Sequence, residues 1–115
     1  MQLCLYIIVA MDDRFRALGN ERRRAMLRLV RDHEQPVSVI TEQLDMTQPA
    51  VSQHLAVLRD AGLVTVRADG RRRLYRADPA AMAELQGFFD EYWSGAVDRL
   101  AEAAVRAAAQ RREAS

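Results

Sequence analysis

The sequence has a single cysteine, Cys4, so no disulfide can close within the chain and no multi-cysteine metal site can form inside one subunit. That scarcity suits a reducing cytoplasm. Lysine is absent altogether, and all seventeen basic residues are arginine. This fits bidentate phosphate contacts and equally fits a GC-rich genome. A long apolar run is missing too: residues 1–10 are nearly all apolar, yet they make about half of the ~20 residues a membrane span requires and lack the basic flank of a secretory signal. Neither a nucleophile with its base nor a phosphate-cradling glycine loop is visible. The enzyme class is left without support, and no cofactor is expected.

What is present is a chain of 115 residues, 50% hydrophobic and 29% charged, an ordinary composition for one folded domain. We expect that domain over residues 11–112. The apolar extension over 1–10 reads either as an upstream start-codon choice or as an arm that packs on a partner subunit. The net charge of +1 hides an uneven distribution, since residues 11–76 sum to +4 and residues 77–115 to −3. A basic body suggests a polyanion partner, and an acidic tail suggests a separate task such as self-association.

Spacing predicts a short helix over 12–18 with Phe15 and Leu18 on one side, stopped by Gly19 and Asn20. A second helix, over 21–33, turns Met26, Leu27 and Val30 inward and leaves Arg22, Arg23, Arg24, Arg28 and Arg31 as a solvated face. Pro36 breaks the chain, Ser38 caps a short helix ending near Leu44, and Asp45 and Met46 turn. Thr47 then caps a helix over 48–61 whose first turn tolerates Pro49 and which Gly62 stops. Its Val51, Leu55 and Leu58 face a core, while Pro49, Ser52, Gln53, Ala56 and Asp60 form a small polar outer side. Beyond Gly62 the period changes to two, and Asp69-Gly70 marks a β-hairpin with Arg71, Arg72 and Arg73 at its tip. Asp78-Pro79 opens a last helix with an apolar stripe through Leu85, Phe89, Tyr92, Ala96, Leu100, Ala103 and Ala107. Unbroken from 79 to 110, it would run about 48 Å, longer than the ~35 Å width of a compact chain this size. Either a second subunit covers the overhang, or Ser94-Gly95 breaks the helix and folds it back.

Two short helices joined by a tight turn, the second with a small polar outer face and a basic hairpin directly after it, match a helix-turn-helix with a wing. The hairpin arginines can lie along phosphates or in a neighbouring minor groove. At this point the sequence resembles the ArsR-type regulators, through Thr47-Gln48-Pro49-Ala50-Val51-Ser52-Gln53-His54-Leu55 and Leu58-Arg59-Asp60-Ala61-Gly62-Leu63-Val64. Leu18-Gly19-Asn20-Glu21-Arg22-Arg23 and Asp69-Gly70-Arg71-Arg72 are similar too. The resemblance implies a mainly α fold with a small β-hairpin, a winged helix-turn-helix that is homodimeric through its first and last helices. In function it implies a cytoplasmic repressor that binds double-stranded DNA at an inverted repeat.

Carried over residue by residue, Gln48, Ser52 and Gln53 match positions that face the groove. Gln53 is the first choice for base readout, because its amide can pair bidentately with adenine. Thr47 is assigned to capping and phosphate contact, Pro49 to the same helix start, and His54 to packing or phosphate contact. Arg59 is read as an ion-pair partner within the domain. Dimer contacts are expected from Phe15, Leu85, Phe89, Tyr92 and Leu100. Metal-sensing members place two cysteines where this chain has Pro36 and Ser38, or histidines on the last helix, and no histidine follows His54. No metal is therefore expected. The aromatics Phe88, Phe89, Tyr92 and Trp93 are read as interface packing, and a small-molecule effector stands as a further candidate partner. The alternative reading is a winged-helix module that binds proteins without reading DNA, which the modest net charge allows.

Overall fold

The computed structural model describes residues 2–114, with side chains described for all of these except 2–9 and 92–94. By contacts the chain divides into two units, Met1–Met82 and Ala83–Ser115. The first holds α1 (Gln2–Leu18), α2 (Glu21–Leu29), β1 (Gln35–Pro36), α3 (Val37–Leu44), α4 (Gln48–Asp60), β2 (Val64–Asp69) and β3 (Arg72–Ala77). The second is made by helix α5 (Pro79–Ala114), which begins just before the boundary.

Helix α1 starts ten residues earlier than its amphipathic half suggests. Neither proline nor glycine occurs between Gln2 and Leu18, so nothing interrupts the ladder of hydrogen bonds, and the expected extension and the expected helix are one element. Gly19 and Asn20 stop it as anticipated. Asn20 then caps α2, its side-chain oxygen accepting from the amides of Arg22 (2.9 Å) and Arg23 (3.1 Å).

Helix α2 ends at Leu29, four residues short of the expected end. The cause is tertiary: the Val30 carbonyl accepts from Ala77 N at 3.0 Å, which ties the end of α2 to strand β3. The next residues descend to β1, whose Gln35 and Pro36 pair with Tyr75 and Leu74. The expected two-stranded hairpin is therefore a three-stranded antiparallel sheet in the order β1-β3-β2. Proline is tolerated there because β1 is an edge strand. Helix α3 follows with Pro36 at its N-cap and no side-chain cap, so the capping role expected of Ser38 is not observed.

The core of the first unit is built from Met26, Val30, Ile40, Val51, Leu55, Leu58 and Leu63, each essentially without solvent exposure. These are the apolar positions on the inner faces of α2, α3 and α4, plus the first residue after Gly62. Gly62 itself takes φ +77°, the left-handed conformation that ends α4.

In the second unit α5 continues as helix through Ser94 and Gly95, so the break allowed for at that point does not occur. Its start is capped by Asp78, whose Oδ1 accepts from Ala80 N at 3.0 Å. Among the described residues, no helix is long and apolar enough to cross a membrane.

Candidate nucleic-acid interface

The interface starts from a turn. Asp45 adopts φ +49°, a left-handed residue that reverses the chain after α3 and sets α4 against it. Thr47 opens α4 in an extended conformation, and its Oγ1 accepts from Ala50 N at 3.3 Å. That bond uses the hydroxyl as acceptor and leaves its proton free to donate. Burying Val51, Leu55 and Leu58 fixes the rotation of α4 about its axis. Thr47, Gln48, Pro49, Ser52, Gln53 and Ala56 are consequently all exposed. Five of the expected groove and cap residues thus share one surface, uncharged over its first two turns and set at the positive end of the helix dipole.

His54 sits elsewhere. It is half-buried on the flank of α4, where Arg23 Nη1 donates to its Nδ1 at 3.3 Å. A guanidinium can only donate, so Nδ1 is the acceptor and the ring proton is on Nε2. Burial, then the charges of Arg23 and Arg22, hold its pKa below the usual 6.5. Arg23 also donates from Nε to Ala17 O (2.7 Å) and from Nη2 to Arg16 O (3.3 Å), and Arg24 Nη1 reaches Leu18 O at 2.7 Å. Part of the arginine run expected to be mere solvated surface therefore satisfies the carbonyls that end α1. Arg14, from α1, donates to Ala61 O at the C-cap of α4 (3.3 Å). Helix α4 is held at two points by arginines to which the sequence pattern assigned no such task. Arg59 is exposed and forms no ion pair among the described residues.

The wing extends from β2 to β3. Its register pairs Asp69 with Arg72, which leaves Gly70 and Arg71 as a two-residue loop. Gly70 has φ +63° and no neighbour that a Cβ would meet, so it is required only for its backbone conformation. A positive φ at the first loop position is the type II′ arrangement. Arg71, Arg72 and Arg73 are all exposed, as expected of a tip, but they differ in their partners. Arg72 Nη2 lies 3.3 Å from Asp69 Oδ2. Arg67, further down β2, grips Glu34 with two donors, Nε to Oε2 at 3.0 Å and Nη2 to Oε1 at 3.3 Å.

The family profile described as "Bacterial regulatory protein, arsR family" matches residues 20–66, which run from the Asn20 cap into β2. The chain is also 36% identical over 91 residues to the HTH-type transcriptional regulator Rv2034 of Mycobacterium tuberculosis, covering 79% of this chain and 85% of that protein. The chain belongs to the ArsR family. Its relatives are transcription regulators and not enzymes. The arsenical resistance operon repressor of Escherichia coli is 35% identical over 80 residues, 69% of this ArsR-family chain and 68% of the repressor. Among solved structures, the homodimeric winged helix-turn-helix DNA-binding domain Mb0332 of Mycobacterium bovis superposes with a TM-score of 0.66 at 25% identity, over 83% of this chain and 88% of that one. The architecture, mainly helical with a small antiparallel sheet, is that of the winged helix-turn-helix.

Of the residues expected at a dimer contact, Phe89 and Leu100 are exposed, Phe15 is half-buried, and Leu85 is already buried within the single chain. The side chain of Tyr92 lies outside the described residues. Phe89 makes an edge-to-face contact with Phe88, ring centroids 5.8 Å apart. Val97 and Val105 add exposed apolar surface to α5 that the expected stripe did not include.

Proposed function

We propose that this ArsR-family chain is a cytoplasmic repressor that binds an inverted-repeat DNA site as a homodimer. Gln48, Ser52 and Gln53 enter the major groove, and the wing tip lies on the neighbouring backbone. The observation that carries this reading is the outer face of α4, which is exposed, small and rich in hydrogen-bonding side chains at its N-terminal end. A face evolved to bind protein is expected to carry large apolar or aromatic anchors. Among the described residues the one large apolar side chain exposed on α4 is Val57, outside the Gln48–Ser52–Gln53 surface. Dimerisation is supported by the solvent-exposed Val97, Leu100 and Val105 of α5 and by likeness to the homodimeric M. bovis domain. For a small effector, the groove of about 350 Å³ lined by Asp13, Arg16, Ala17, Arg23, Val57, Asp60 and Ala61 offers direct access to the helix that reads DNA.

The test is binding of the full chain to a labelled duplex taken from upstream of its own gene, beside a random duplex, across a salt series. Specific binding should exceed random binding by about 10³ or more, and log K should fall linearly with log salt for both. Salt-independent binding, or none, would replace this reading with the protein-interaction module.

A further inference from the structure

The four arginines nearest the wing turn are not equivalent. Residues paired across an antiparallel ladder share a face. One face of the sheet therefore carries Arg67 opposite Leu74 and Asp69 opposite Arg72. The other carries Ala68 opposite Arg73, in line with Val66 and Tyr75. Both acid–arginine pairs of the wing fall on the first face, where Glu34 is brought alongside Arg67 because β1 pairs its Pro36 with Leu74. Arg71 in the loop and Arg73 on the second face have no ion-pair partner among the described residues. Sequence inspection shows six charges between residues 64 and 77 but not this division.

We propose that Glu34 and Asp69 are built-in competitors for DNA phosphate, holding Arg67 and Arg72 in ion pairs so that Arg71 and Arg73 alone of these four contact the backbone. The inference rests on the DNA-binding reading above. Glu34 occupies the Nε–Nη2 edge of Arg67, the edge with which a guanidinium would grip a phosphate bidentately. For Arg67 to turn to DNA it must abandon Glu34 and leave that carboxylate unpaired beside a phosphate, so the attraction gained is offset by repulsion. Asp69 imposes the same exchange on Arg72 through a single contact. The device lowers affinity for every sequence equally, because phosphates are the same everywhere, and leaves the base contacts of α4 untouched. Specific and random binding therefore weaken together, and the ratio between them stays as the base contacts set it.

The experiment measures the salt slope of the full chain on a random duplex of about 30 base pairs. Each phosphate contact is worth about 0.9 in slope, or roughly threefold in affinity between 50 and 200 mM salt. Arg71→Gln and Arg73→Gln should each flatten the slope by about that amount, whereas Arg67→Gln should leave it unchanged. Glu34→Gln should steepen the slope by about one contact and tighten random binding, and the double variant Glu34→Gln/Arg67→Gln should return to the native slope. Asp69→Asn and Arg72→Gln form an independent second pair with the same expectation. An Arg67→Gln slope as flat as that of Arg71→Gln, or a Glu34→Gln slope equal to the native one, overturns the proposal. Native protein without a salt slope would instead overturn the DNA-binding reading itself.

Discussion

At the scale of single residues, Gln53 and His54 are neighbours with opposite surroundings. Gln53 is exposed and its amide has no hydrogen-bond partner among the described residues, while His54 is half-buried and bonded to Arg23. Gln53→Ala should therefore lower specific binding by about 1–3 kcal/mol of discrimination. Equal losses on specific and random duplexes would remove Gln53 from base readout. For His54 the expectation is a pH effect on stability. Its folded pKa lies below the unfolded 6.5, so below that pH the unfolded chain takes up a proton that the folded chain resists. Stability is present in full above about pH 6.5. It is lost as pH falls toward the lower folded value, where protonated Nδ1 can no longer accept from Arg23. Thermal melts between pH 7.5 and 5 should show a decline that His54→Gln diminishes; an identical decline in both proteins would place the acid sensitivity elsewhere. That His54 lies on the flank of α4 beside Leu55 was legible from the spacing. Its partner was not, because Arg23 lies 31 residues away and nothing in a run of three arginines singles out the middle one.

Among elements, the best-specified were those with local chemistry at both ends. Helix α4 begins at Thr47 and closes before Gly62 because a hydroxyl cap and a left-handed glycine act within a few residues of themselves. Helix α2 starts the same way at Asn20, and its cap bonds two amides. Asn20→Ala should cost about 1 kcal/mol, visible as a lower urea midpoint with unchanged slope. A loss under a few tenths would mean that the arginines closing α1 hold this corner by themselves. The elements misjudged or missed lacked such local marks. Strand β1 is two residues long and contains a proline, so it has no period to detect; it exists because β3 offers Tyr75 and Leu74 as partners. The wing turn was located correctly, but its register came from the sheet, which makes Asp69 the last strand residue and gives the positive φ to the first loop position.

For the molecule as a whole, the decisive surface is the apolar side of α5. Leu100 and Val105 are 68% and 70% exposed in the single chain. Burying side chains of this kind contributes roughly 1.5–3 kcal/mol each. Leu100→Asp should shift sedimentation at micromolar concentration from dimer to monomer and weaken binding to the upstream duplex, with the melting of the protomer little changed. Leu100 tests this more cleanly than Phe89, which already packs on Phe88. A native protein that sediments as a monomer would overturn the dimer. An unaltered dimer in the Leu100→Asp protein would move the interface off this face.

What the sequence by itself determined was whatever depends on spacing along the chain. The helix-turn-helix, the Thr47 cap, the inward residues of α4 and the hairpin all follow from periods of 3.6 and 2 and from residues that permit or forbid particular backbone angles. Tertiary structure alone decided how those elements hold one another. The carbonyl of Val30 joins the sheet, Arg23 joins α1 to α4, and Glu34 meets Arg67 across 33 residues. Each of these joins groups distant in sequence, and an arginine with several donors can be satisfied by many acceptors. Which acceptor it takes depends on what folding brings within about 3 Å.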